Sequence, residues 1–243
     1  EGRRGIPHHL IDIVDPGEEL TAGAYASLAR AVLGDLAARG VLPIVAGGTG
    51  FYLRALLAGL SPAPARDAGL RARLAAIARR RPAVLHRFLC RHDAASAARI
   101  HPNDHQKLIR AIELTWLVGQ PASRVQSVPR RQLEGFRVLQ LGLQPARSSL
   151  REALDERSAE MFRGGLLEET RALLASGVGP QAKSLQTLGY KQAVAFLSGK
   201  LPLADALREC QTRTRQYAKR QMTWFRGDPD IRWLPGFGSD PAI

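Results

Sequence analysis

The chain has 243 residues, with 35 Lys+Arg against 22 Asp+Glu, a formal net charge of +13 and a pI near 10.9. Its 45% hydrophobic content is ample for a packed core and excludes general disorder. No apolar run approaches the roughly 20 residues of a membrane helix. Cys90 and Cys210 stand apart, with no disulfide framework and no zinc spacing, as expected of a protein of the reducing cytoplasm. The cation excess points to a polyanionic partner, although charge speaks of association rather than fold.

In chain order, HLIDIV within 8–14 reads as a short apolar strand ended by Asp15-Pro16-Gly17. Thr21 is placed to cap an Ala/Leu-rich helix over 22–39, and Gly40 to stop it. VLPIVAGGTGFYLRALLAGL then reads as a buried strand, a glycine turn and a helix. Strand and helix alternating in this way predict a parallel sheet covered by helices. After Leu60 the texture changes: SPAPARDAG is linker-like, and from Leu70 to about Gly119 every segment is helical, with Arg71, Arg73, Arg79, Arg80, Arg81, Arg87 and Arg91 crowding its first half. Strand character returns with FRVLQLGL near Phe136, followed by helical patterns over 148–174, 185–197 and 203–225 and a short strand, IRWLP. The expected organisation is an α/β core, 1–64 and 132–243, interrupted by an all-helical insertion domain, 65–131.

Five places invite a functional reading. On the helix over 203–225 and just past it, Arg208, Arg215, Lys219 and Arg226 lie at offsets of seven, eleven and eighteen, which return to one face at about 100° per residue. That makes a cationic stripe suited to phosphates, while Cys210, Tyr217 and Trp224 mark the core side. Gly47-Gly48-Thr49-Gly50 ends a strand and opens a helix, where backbone N–H groups meet anions; it is not a Walker A loop, since the Lys of GxxxxGK[ST] is missing. HPNDHQKLIRAIEL opens a helix at Asn103 or Asp104, with Lys107 and Arg110 one turn apart. Gly189 sits in LQTLGYKQA, within a helical run, where it costs nearly 1 kcal/mol against alanine; a bend or close approach is expected there. His8 and His9 are adjacent on the expected strand, so they point to opposite faces and do not chelate together, and Asp12 in that strand requires a buried partner.

Taken together and in order, PHHLIDIVDP, GGTGFYLRALLAGLSP, ARIHPNDHQKLIRAIEL, LDERSAEMFRGGLLEE, SLQTLGYKQ and TRQYAKRQMTWFR resemble the bacterial tRNA dimethylallyltransferase (tRNA isopentenyltransferase) family, and they span nearly the whole chain. The resemblance implies a P-loop-NTPase-like parallel sheet flanked by helices, with the helical insertion binding tRNA. It implies transfer of a dimethylallyl group from dimethylallyl diphosphate, with Mg²⁺, to the adenosine beside the anticodon, by a cytoplasmic enzyme that nothing requires to be more than a monomer. By position, Thr49 is similar to the residue meeting the target adenosine, Arg157 to the arginine holding the diphosphate, and Arg71 to a tRNA contact near the extruded base. Gln106, Lys107, Leu108, Ile109 and Arg110 match one tRNA-binding stretch, with Lys107 where the family usually has Arg. Gln186, Thr187, Leu188, Gly189, Tyr190 and Lys191 match a second; Lys219, Arg220, Gln221, Met222, Thr223, Trp224, Phe225 and Arg226 match a third. The family's P-loop and its general-base aspartate have no counterpart here; both are expected upstream of Glu1, which reads the chain as an amino-terminally truncated enzyme. The competing readings are a non-catalytic RNA-binding remnant and, less suited to the Arg-rich insertion, a small-molecule phosphotransferase.

Overall fold

The computed structural model describes residues 5–240. Helix α1, Ala22–Ala38, begins where Thr21 Oγ1 accepts the Ala24 amide at 3.1 Å and ends against Gly40, whose φ of +68° is the left-handed stop expected. Helix α2 runs over Gly50–Leu57. Arg30 of α1 donates to the Leu56 carbonyl through Nε and Nη2, and Tyr25 stacks on Tyr52 at 5.1 Å, so the two helices are tied by polar and ring contacts.

Five helices follow: α3 (Ala68–Arg80), α4 (Ala83–His92), α5 (Ala94–Arg99), α6 (His105–Val118) and α7 (Ala122–Ser127). With their flanks they form one of two compact units, residues 57–133. Its core is a mesh of Leu74, Leu85, Leu89, Leu108 and Ile112, each at most 4% exposed. The polar ends of these short helices are satisfied by side chains: Asp67, Asp93 and Asp104 each accept an amide from the first turn they cap. The unit is closed where the Leu133 amide donates to the Leu57 carbonyl at 2.8 Å, and Gly59, at φ +73°, packs so tightly on the Arg131 backbone that a Cβ would overlap it. This unit holds fourteen Lys/Arg against four Asp/Glu, or +10 of the chain's +13.

The other unit comprises residues 1–56 and 134–243. Strand β1, Gln140–Gln144, precedes helices α8 (Arg147–Arg163), α9 (Leu166–Ala175), α10 (Tyr190–Leu197) and α11 (Leu203–Phe225), then strand β2, Ile231–Pro235. The strands pair in parallel, Leu141 opposite Arg232 and Leu143 opposite Leu234. Gly142 lies under Trp233, whose ring leaves no room for a Cβ. Helices α8 to α11 bury Phe162, Leu166, Ala193, Ala206 and Cys210. The architecture is mixed α/β, mostly helical, with a small parallel sheet.

Several expected elements take another form. Residues 8–14 are not a strand: Leu10 and Asp12 have φ of +61° and +56°, which breaks the pleat. Asp12 is exposed, so no buried partner is required, and His8 is occupied by the Ile6 carbonyl at 2.8 Å. VLPIV forms no helix and joins no ladder among the described residues, with Leu42 and Ile44 83% and 85% exposed. The single helix expected over 148–174 is two helices, separated at Gly164-Gly165, where Gly165 has φ +107°. The one expected over 185–197 is a 3-10 turn at Ser184–Gln186 followed by α10.

Candidate functional site

The glycine turn and the carboxyl-terminal half of α11 meet. Gln221 Nε2 donates to the Gly48 carbonyl at 2.9 Å, and a Cβ on Gly48 would fall on that same amide. A Cβ on Gly50 would fall on the Trp224 indole, and the Arg54 guanidinium lies 4.4 Å over the Trp224 ring. The absence of side chains at positions 48 and 50 is thus what lets α11 close onto the turn. Thr49 sits between them, its carbonyl accepting the Tyr52 and Leu53 amides at 2.9 and 3.2 Å to start α2. Its exposed hydroxyl has no hydrogen-bond partner among the described residues and is an open donor and acceptor.

The cationic stripe is not the unbalanced row that its sequence suggests. Arg208 pairs with Asp205, Arg213 with Glu209 at 3.5 Å, and Arg215 with Asp155 of α8. Asp155 also anchors α11 through its carbonyl, which accepts from Gln211 at 3.1 Å. Arg215 is therefore a brace between α8 and α11. Lys219 and Arg226 remain exposed without an ion pair among the described residues, and Arg220 lies 5.7 Å from the Tyr217 ring centre. Of the core-side residues, Cys210 is buried and Tyr217 half-buried, but Trp224 is 42% exposed because its neighbours are the glycine turn and Arg54. Met222 and Phe225 are half-buried, and Thr223 Oγ1 bonds the Lys219 carbonyl at 3.0 Å. Arg157 is exposed on α8 and is joined to the glycine turn by no hydrogen bond or ion pair.

The stretch over 186–191 is largely self-satisfied. Gln186 Nε2 donates to the Pro180 carbonyl at 2.8 Å, and Thr187 Oγ1 to the Ser184 carbonyl at 2.6 Å. Leu188 is half-buried, while Gly189, at φ +89°, caps α10 and faces Met161 and Leu166 so closely that a Cβ would lie 3.1 Å from the Met161 methyl. The close approach expected of this glycine is real, but it starts a helix instead of bending one. Tyr190 donates to Glu169 Oε1 at 2.8 Å; burial, then that hydrogen bond and the nearby negative charge, push its pKa up to about 12. Lys191, the one charged residue of the six, is exposed and has no ion pair among the described residues.

In the helical unit, a residue not singled out by sequence organises the others. Glu113 is 0% exposed, and its carboxylate accepts Arg110 Nη1 at 2.6 Å, Arg71 Nη1 at 3.1 Å and the Asp67 amide at 2.8 Å. Burial alone would raise its pKa; the bonds from Arg110, the Asp67 amide and Arg71 outweigh burial and hold the carboxyl below the ordinary glutamate value. Its signal was legible only weakly, as an acid three residues after Arg110 on the apolar face of α6. Leu108 and Ile109 are 0% and 7% exposed and belong to the core of this unit. Lys107 is bonded to Asp104 at 2.7 Å at the helix start, and Gln106 is exposed beside it.

Among the described residues, no group of three or more His, Cys, Asp or Glu is arranged to hold a metal. The donors at the glycine turn are a hydroxyl and backbone groups, not the carboxylates a magnesium site draws on. These residues do not make an Mg²⁺ site of their own. No helix among the described residues is long and apolar enough to cross a membrane.

These features define a mostly helical α/β protein with a small parallel sheet and one strongly basic helical unit. Residues 1–228 match the family model for IPP transferase. The chain is 53% identical over 241 residues to the tRNA dimethylallyltransferase of Solibacter usitatus (strain Ellin6076), covering 99% of this chain and 78% of that protein. It is 51% identical over 244 residues to that of Koribacter versatilis (strain Ellin345), covering 100% and 79%. Among solved structures, the full-length tRNA isopentenylpyrophosphate transferase of Bacillus halodurans aligns with a TM-score of 0.67 and 31% identity over 98% of this chain and 75% of that one. A eukaryotic dimethylallyltransferase acting on tRNA aligns at 0.75, with 29% identity over 96% and 61%. The chain belongs to the IPP transferase family and is a prenyl-transferring enzyme.

Proposed function

We propose that this protein transfers a dimethylallyl group from dimethylallyl diphosphate to N6 of the adenosine 3′-adjacent to the anticodon of tRNA, giving N6-isopentenyladenosine. The observation that carries this reading is the 53% identity, over 99% of the chain, to a tRNA dimethylallyltransferase. The net charge of +10 within residues 57–133 supports their role as the tRNA-binding insertion, since each phosphate neutralised releases counterions.

In the reaction, the adenine amino nitrogen bonds to the allylic carbon as the C–O bond breaks, the diphosphate leaves with the electron pair, and the amino group loses one proton. Thr49, with its exposed hydroxyl between Gly48 and Gly50, hydrogen-bonds the extruded base and orients N6 toward the donor. Lys219, Arg226 and Lys191 meet the RNA backbone, and Arg157, exposed and without an ion pair among the described residues, meets the diphosphate. Bound with the diphosphate, Mg²⁺ would help neutralise the charge of the leaving group.

Within these 243 residues there is neither a GxxxxGK[ST] loop nor a DSxQVY-like aspartate, so the test is made in the context of a longer relative. The second reading is a tRNA-binding protein with no reaction of its own. A chimera in which this chain replaces the matching 241 residues of the Solibacter usitatus relative decides between them. With labelled dimethylallyl diphosphate and tRNA, the chimera should transfer label, and Thr49→Ala should abolish transfer while leaving the fold intact. A folded, tRNA-binding chimera with no transfer overturns the proposal.

A further inference from the structure

We infer that Glu113 is a positioning residue that presets the Arg71 guanidinium for a bidentate grip on one RNA phosphate, with Arg110 as a strut in place of a contact. This deepens the proposed function and rests on it. Arg71 and Arg110 donate through Nη1 to the same oxygen of Glu113, and the other oxygen takes the Asp67 amide at the start of α3. Arg110 is engaged a second time, its Nη2 donating to the Pro64 carbonyl at 3.2 Å. Arg71 has one engagement only: its Nε and Nη2 donors, which form the side-on edge of the guanidinium fork, have no acceptor among the described residues. That edge is the one that fits two phosphate oxygens. Both side chains are about one-third open, 30% for Arg71 and 29% for Arg110, whereas the carboxylate is sealed at 0%.

The competing account is a purely structural cross-brace between α3 and α6. Buried ion pairs contribute little net stability, because desolvation offsets their attraction and apolar replacements often serve as well. The asymmetry is what separates the accounts. A brace would engage both arginines, whereas here Arg110 is held through both terminal nitrogens and Arg71 by one corner, its phosphate-matching edge left open among the described residues. Two cations on one carboxylate also leave a net positive charge where a bridging anion gains most. Holding the fork in advance removes the rotamer entropy that a free arginine would lose on binding RNA.

The test uses the whole chain and a tRNA anticodon stem-loop. Arg71→Ala should weaken binding about tenfold, the effect of removing one charge-assisted bidentate pair. Glu113→Gln should weaken binding comparably in the wild-type background but less than twofold in the Arg71→Ala background, with circular dichroism verifying that each variant folds. Equal losses in both backgrounds overturn the inference. If Glu113→Gln does not fold, nitrogen-15 spectra of the unmodified chain decide: Arg71 Nη resonances should show slow guanidinium rotation before RNA is added, and rapid rotation that slows only on binding overturns the presetting. If the chain does not bind the stem-loop, or Arg71→Ala leaves binding unchanged, the tRNA reading of this unit falls first.

Discussion

Asp93 offers the sharpest prediction about the helical unit. It is 4% exposed and caps α5, with Oδ1 accepting the Ser96 amide at 3.1 Å and Oδ2 accepting the Ser123 amide of α7 at 2.9 Å. Asp93→Ala removes an N-cap, about 1 kcal/mol, and leaves the partly covered Ser123 amide without its acceptor, about 1–2 kcal/mol more. The expected loss is thus about 2–3 kcal/mol, and Asp93→Asn, which keeps one acceptor, should lose about half of that. Burial raises the Asp93 pKa, but the hydrogen bonds from Ser96 and Ser123 outweigh it and hold the carboxyl below the ordinary aspartate value. A depressed folded-state pKa contributes stability above the unfolded value, which is lost as the pH falls through the folded one. The gap between wild type and Asp93→Asn should therefore be full at neutral pH and narrow below about pH 4. Urea unfolding gives the magnitude, and amide exchange at Ser96 and Ser123 localises it to this unit. An Asp93→Ala variant within about 0.5 kcal/mol of wild type, with both amides still protected, would refute the reasoning, since that is the range of surface substitutions without such a role.

Four further outcomes follow from the other unit. Gly50→Ala should push its methyl into the Trp224 indole and cost about 1–3 kcal/mol by overpacking; in a Trp224→Ala background most of that cost should vanish in the same melting experiment. Lys219→Glu and Arg226→Glu should lower RNA affinity and flatten its salt dependence, by roughly one unit of slope for each phosphate no longer neutralised. Arg215→Glu should instead destabilise the fold by facing Asp155 with a like charge, visible as a lower melting temperature without any RNA. Tyr190→Phe should cost about 1 kcal/mol for the hydrogen bond to Glu169, and tyrosinate absorbance in the wild type should reveal one tyrosine that ionises only near pH 12.

The elements legible from sequence were those whose signals are local. Thr21, Asp104 and Gly40 act as helix ends because capping is decided within four residues, and the 203–225 helix and the IRWLP strand appear with the bounds that their apolar spacing suggests. The family was legible too, because six motifs kept their order along the chain. What required the tertiary structure was every statement about partners. Composition showed a stripe of cations on α11, but Asp155, which neutralises one of them, is sixty residues away in sequence. Apolar runs at 8–14 and 41–45 read as strands by composition, yet a strand exists only where another backbone supplies its ladder, and no such ladder forms among the described residues. Periodicity placed Glu113 on a helix; only the fold of α3 against α6 sealed its carboxylate from water and turned an ordinary acid into the fixed point around which two arginines are set.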